Sequence, residues 1–138
     1  MAPPRCRPRS VRPPATTTIY PALGYRAVGG GLVFIAGQLP IDAAGQRLTD
    51  KPFEAQARQV LANVKAALEA AGSEVSQLLH VRVYLTDIAH WGSFNALYAE
   101  WAGAHRPARA VVPVPALHHG LLLEVEAVAL AGRANPSP

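Results

Sequence analysis

Along residues 79–86 the chain alternates, with Leu79, Val81, Val83 and Leu85 apolar and His80, Arg82, Tyr84 and Thr86 between them. A period of two predicts a strand with one face buried. Upstream, Phe53, Ala57, Val60, Leu61, Val64, Leu68 and Ala71 follow the i, i+3, i+4, i+7 spacing of an amphipathic helix, with Gln56, Gln59, Asn63 and Lys65 elsewhere on it. Asp50 is placed to cap this helix, and Pro52 falls in its first turn, where a missing N–H costs nothing. Gly72 is placed to end it.

The remaining elements follow the same logic. Gly29, Gly30 and Gly31 predict a turn into the apolar strand 32–36, followed by Gly37-Gln38, and so a hairpin. Residues 42–45 form a polar connection. Asp87 is placed to cap a second helix, in which Trp91, Phe94, Leu97, Tyr98 and Trp101 share one face and which ends before Pro107. Two further strands are predicted over 108–115 and 121–130, separated by the loop 116–120. The order is therefore ββαβαββ in one α+β domain. Pro113 and Pro115 are two apart, so in an extended strand both lack the N–H that points to the same neighbour, which implies a free edge or an irregular ending. An exposed edge needs cover, and association of copies supplies it.

Composition narrows the class. The 138 residues allow one core, and 50% hydrophobic against 16% charged residues is ample material for it. The net charge of +4 sits in residues 1–18, which hold Arg5, Arg7, Arg9 and Arg12 and no acid; the rest carries nine basic and nine acidic residues. The folded part is neutral, with no interleaved basic and aromatic run, which argues against nucleic-acid binding. Residues 1–18 read as a disordered, basic, Pro-rich tail, 19–132 as the domain and 133–138 as a short flexible C-terminus. The sole cysteine, Cys6, lies in the tail, so the domain has no disulfide framework and a reducing, cytoplasmic setting fits. No stretch approaches the length of a membrane span and the tail has no signal-peptide h-region, so no membrane association is expected.

Few side chains offer chemistry. His80, His90, His105, His118 and His119 form no i, i+4 pair and no cysteine joins them, so no metal site is predicted. His118-His119 reads as a solvated loop. The triple glycine lacks the spacing of a phosphate cradle and is a turn. Glu124 and Glu126 are more informative, because they occupy one face of a strand otherwise apolar on both. A carboxylate there meets water or a partner, and a solvated patch or an intersubunit salt bridge is the plain reading. Arg109 stands in the adjoining strand candidate in a run of Ala and Val. A lone guanidinium there requires an anion, and its planar fork suits a carboxylate.

Seven segments then resemble, in order, the signatures of one family: Gly24-Tyr25-Arg26-Ala27-Val28, Leu32-Val33-Phe34-Ile35-Ala36-Gly37-Gln38-Leu39-Pro40, Asn63-Val64, Val83-Tyr84-Leu85-Thr86-Asp87, Phe94-Asn95-Ala96-Leu97-Tyr98, Pro107-Ala108-Arg109 and Leu123-Glu124-Val125-Glu126-Ala127-Val128-Ala129. They are similar to the Rid/YjgF reactive-intermediate deaminases over about residues 20–130. The resemblance implies a chorismate-mutase-like fold, a mixed sheet with two helices on one face, assembled as a homotrimer with ligand clefts between subunits. It also implies hydrolysis of small 2-imino or enamine acids of the 2-aminoacrylate type to 2-keto acids and ammonia, without metal or organic cofactor. Arg109 then clamps the substrate carboxylate and Glu124 positions a water. Gly37, Val111 and Asn95 contact substrate, and Tyr25 closes the cleft from the adjacent subunit. Two positions depart from the deaminase pattern: Ala110 stands where Ser or Thr is usual, and Val111 where many members have Cys. A non-catalytic trimeric binder of small carboxylates or a regulatory module is the alternative. The ribonuclease activity attributed to the family lacks a His/His or His/Lys pairing here.

Overall fold

The computed structural model describes the backbone of residues 25–28 and residues 31–132. The predicted tail, the C-terminal segment 133–138, Gly29, Gly30 and the side chain of Tyr25 lie outside the described residues. Strands β1 (Tyr25–Val28) and β2 (Leu32–Gln38) form the expected antiparallel hairpin, and Gly31 adopts φ +100° in its turn, a conformation open to glycine. Helix α1 (Phe53–Ala70), strand β3 (Leu78–Leu85), helix α2 (Trp91–Ala102), strand β4 (Ala108–Pro113) and strand β5 (Leu123–Leu130) complete the order ββαβαββ.

The sheet runs β1-β2-β5-β3-β4, with β3 and β4 parallel and every other pair antiparallel. α1 packs across β2 and β5 and against α2, so both helices cover one face. Beneath them lie Val33 and Ile35 of β2, Val81, Val83 and Leu85 of β3, and Leu123, Val125, Ala127 and Ala129 of β5, all buried. β4 is an edge strand, one of the two outcomes the paired prolines allow, and it ends at Pro113. Val114 N–H donates to Leu85 O at 2.8 Å, so even-numbered amides of β4 face β3 and odd-numbered ones face outward, where Pro113 and Pro115 have no N–H to offer.

Several local expectations are corrected. Asp50 does not cap α1; the helix starts after Pro52, which is itself the N-cap, with no side-chain cap bond. Proline holds the residue before it extended, which moves the helix start past Asp50's reach. Gln56 is fully buried rather than on the outer face: its Nε2 donates to Lys51 O at 3.0 Å and its Oε1 accepts from Leu122 N–H at 3.0 Å. α1 ends as expected at Gly72, φ +77°, with Gly72 N–H donating to Glu69 O and Ser73 N–H to Leu68 O, a Schellman closure. Asp87 caps a 3-10 turn over Ile88–His90, accepting from Ala89 N–H, and α2 begins only after it. On α2, Phe94 and Tyr98 are buried but Trp91 is 44% exposed, because it stands at the first residue, before the helix reaches the core. β4 and β5 are shorter than predicted. Leu121 precedes β5 and packs instead with Leu39 and Ile41 in a small separate cluster.

Candidate active site

Arg109 pairs with Val81 across the parallel β3–β4 ladder and therefore projects onto the helix-covered face. There it meets α2. Its Nη2 donates to Asn95 Oδ1 at 2.9 Å, and its Cζ lies 4.6 Å from the centre of the Tyr98 ring. Asn95 and Tyr98 are three apart on one helix, the spacing that puts two side chains on the same face, so both address a single β4 side chain. Among the described residues no carboxylate forms an ion pair with Arg109. The guanidinium is thus held by neutral partners, with its charge unpaired among the described residues. Val111 lies two residues along on the same face, half-buried, with its N–H on the outward side of the edge strand.

Glu124 and Glu126 lie on the other face of the sheet, and they differ. Glu126 accepts from Tyr84 Oη at 2.6 Å and from Arg82 Nη1 at 3.2 Å, so its salt bridge forms within the chain, to the neighbouring strand, rather than between subunits. The Tyr84 phenol is pushed up from its ordinary value, chiefly by that hydrogen bond to Glu126. Glu124 is half-buried and its carboxylate accepts no hydrogen bond among the described residues. Burial is the main cause holding its carboxyl above the ordinary range; the nearby charge of His118 opposes this and that of Glu126 adds to it. Gly37, where the β2–β5 ladder shifts register, sits directly against Glu124 Oε1.

The predicted residues therefore fall into two groups. Arg109, Asn95 and Val111 gather under α2 at one edge, while Gly37 and Glu124 gather on the open face. Tyr84 is opposite both Glu124 and Val112, whereas Arg109 and Val111 share parity with Val81 and Val83. Within one chain, β3 and the thickness of the sheet separate the two groups. Tyr25 is placed only by its backbone, opposite Ile35 on the far edge. Two neighbours were missed by sequence reasoning. Tyr98 reads as a core aromatic, although its i+3 spacing from Asn95 was a usable signal. His118 reads as loop, and its approach to Glu124 depends on how the exposed turn at His118–Gly120 folds back before β5, which no periodicity encodes.

The open face also carries apolar surface: Phe34, Val112 and Leu130 are 46%, 39% and 43% exposed. Among the described residues no helix is long and apolar enough to cross a membrane.

The family model described as endoribonuclease L-PSP matches residues 14–131. A RutC family protein of Pyrococcus horikoshii is 43% identical over 100 residues, 72% of this chain and 79% of that protein. Protein HMF1 of Saccharomyces cerevisiae is 38% identical over 98 residues, 71% of this chain and 75% of that protein. The crystal structure of RidA from an Antarctic Psychrobacter superposes with a TM-score of 0.72 at 34% identity, covering 77% of this chain and 85% of that one.

Proposed function

The chain belongs to the endoribonuclease L-PSP, or Rid/YjgF, family, and from that premise we propose that it hydrolyses small 2-imino and enamine acids to 2-keto acids and ammonia. The observation that carries the reading is Arg109, a cation oriented by Asn95 and Tyr98 and paired with no carboxylate among the described residues. Its fork takes the substrate carboxylate in a bidentate pair. An enamine tautomerises to the imine, and water adds to the C=N carbon. The resulting carbinolamine expels ammonia and leaves the ketone. Glu124, desolvated and beside a bare glycine backbone, orients the water, takes up its proton and returns it to the departing nitrogen, for a general acid–base contribution of about 10²- to 10⁴-fold.

Arg109 and Glu124 lie on opposite faces of one sheet, so one substrate touches both only where two copies meet. The functional unit of this proposal is a homotrimer with its sites at the subunit seams. The exposed Phe34, Val112 and Leu130 are the apolar surface that such an assembly covers. The setting is the cytoplasm, and the reaction uses no cofactor.

Ammonia release from 2-iminobutanoate or 2-iminopropanoate generated in situ tests the reading. Acceleration by the wild type, lost in Arg109→Ala, is the expected result; rates equal to buffer across several imino acids would overturn it. A non-catalytic carboxylate binder is favoured by Ala110 and Val111, which place no side-chain hydrogen-bond donor beside the arginine. Saturable 2-keto acid binding without turnover, unchanged in Glu124→Gln, would identify that alternative.

A further inference from the structure

Tyr98 is 5% exposed, and its ring is fixed by neighbours on its own helix: Phe94 at 5.7 Å and Trp101 at 5.9 Å between ring centres. Its hydroxyl has no hydrogen-bond partner among the described residues. The polar end of the side chain is therefore idle, and what Tyr98 presents to the site is the ring, 4.6 Å from the guanidinium carbon of Arg109. The electron-rich ring attracts a cation, more strongly where water is excluded. With Asn95 Oδ1 holding Nη2, two constraints act on one guanidinium: an aromatic face against its central carbon and an acceptor on one nitrogen.

We infer that Tyr98 is a positioning residue for carboxylate binding, its ring clamping the Arg109 guanidinium so that the fork is set before the substrate arrives. This rests on the carboxylate role proposed for Arg109. An arginine side chain has much rotamer freedom to lose on binding, and a guanidinium held over an aromatic ring has already lost part of it. The neutral ring orients the cation without neutralising it, which a carboxylate in the same place would do. Because the substrate carboxylate is present in both ground and transition states, loosening the clamp weakens both alike and appears in KM. A side chain that merely fills the core would instead reduce the folded, active fraction and lower apparent kcat.

The test compares wild type, Tyr98→Leu and Tyr98→Phe in ammonia release from 2-iminobutanoate, alongside nuclear magnetic resonance of the Arg109 side chain. Leucine is expected to raise KM by about five- to thirty-fold while kcat changes far less, and phenylalanine to restore most of the loss. In the wild type, ring current should shift the Arg109 Hδ and Hε resonances upfield, and leucine should abolish the shift. Random-coil Arg109 shifts in the wild type would overturn the inference, and this holds even if Tyr98→Leu does not fold. So would a folded Tyr98→Leu with wild-type KM, or a phenylalanine variant as impaired as the leucine one. If the wild type releases no ammonia, the deaminase reading fails separately, and the resonance shifts still decide whether the clamp exists.

Discussion

Glu124 lies so close to Gly37 that a β-carbon added there would overlap its Oε1. The glycine is needed for close approach rather than for backbone freedom, since its φ is not in the left-handed region. Gly37→Ala should therefore displace the Glu124 carboxylate. The obstacle is the far end of a flexible, half-buried side chain, so the cost in stability should be about 1 kcal/mol, the low end for added bulk in a packed site. Ammonia release should fall much further than melting does. Equal activity with an unchanged melting temperature would show that Glu124 is free to move without consequence.

The raised carboxyl of Glu124 fixes a sign for pH dependence. Its folded pKa lies above the ordinary value of 4.5, so between the two values the native state holds a proton that the unfolded chain has released. Stability from this group is full below the unfolded pKa and declines as pH rises through the folded one. Glu124→Gln should then melt higher than wild type at pH 7, with the difference vanishing below about pH 4.5. The same variant should lose about 10²-fold or more in rate.

His118 opposes the upward shift of Glu124. His118→Ala removes that opposition, so the acidic limb of the rate profile, where the base becomes protonated, should move to higher pH. A profile identical to wild type would show that His118 does not act on the base during turnover.

How much of this was readable from residue order depends on the kind of information each feature needs. The alternation at Leu79–Leu85 and the stripe from Phe53 to Leu68 are local, and both became the elements their periods predict. Arg109 stood out because a charge among alanines and valines is conspicuous without any structure. Its face did not, because parity within a strand says only which residues share a side; that Arg109 sides with Val81 and Glu124 with Tyr84 comes from register across β3. Gln56 was misplaced for a related reason. Periodicity counts apolar positions, and a polar side chain whose partners are backbone groups, one just before its helix and one 66 positions away, reads as solvent-facing.

The two glutamates should separate experimentally. Glu126 serves Tyr84 and Arg82, and its pair with Arg82 is largely exposed. Such a pair contributes about 1 kcal/mol or less. Glu126→Gln should leave ammonia release far closer to wild type than Glu124→Gln does. It should also lower the Tyr84 phenol toward its ordinary value of 10.0, because the raising hydrogen bond and charge are both weakened. Phenolate absorbance during an alkaline titration reads that shift directly. An activity loss matching that of Glu124→Gln would mean that the pair works as a unit and that the assignment of the base to Glu124 alone is wrong.

Gln56 ties the start of α1 to the residue before β5, two segments 66 positions apart. Its Oε1 accepts from Leu122 N–H and its Nε2 donates to Lys51 O, with the side chain wholly inside the core. Gln56→Leu keeps the volume and removes both bonds, leaving a part-buried amide and a carbonyl to find other partners. An unsatisfied buried group costs about 1–3 kcal/mol, so a large drop in melting temperature is expected despite the more apolar side chain. Because Leu122 immediately precedes β5, slack introduced there should also reach Glu124 two residues on, and the rate should fall in the protein that remains folded. Leucine at position 56 with wild-type melting and wild-type turnover would show that neither bond sets the entry of β5.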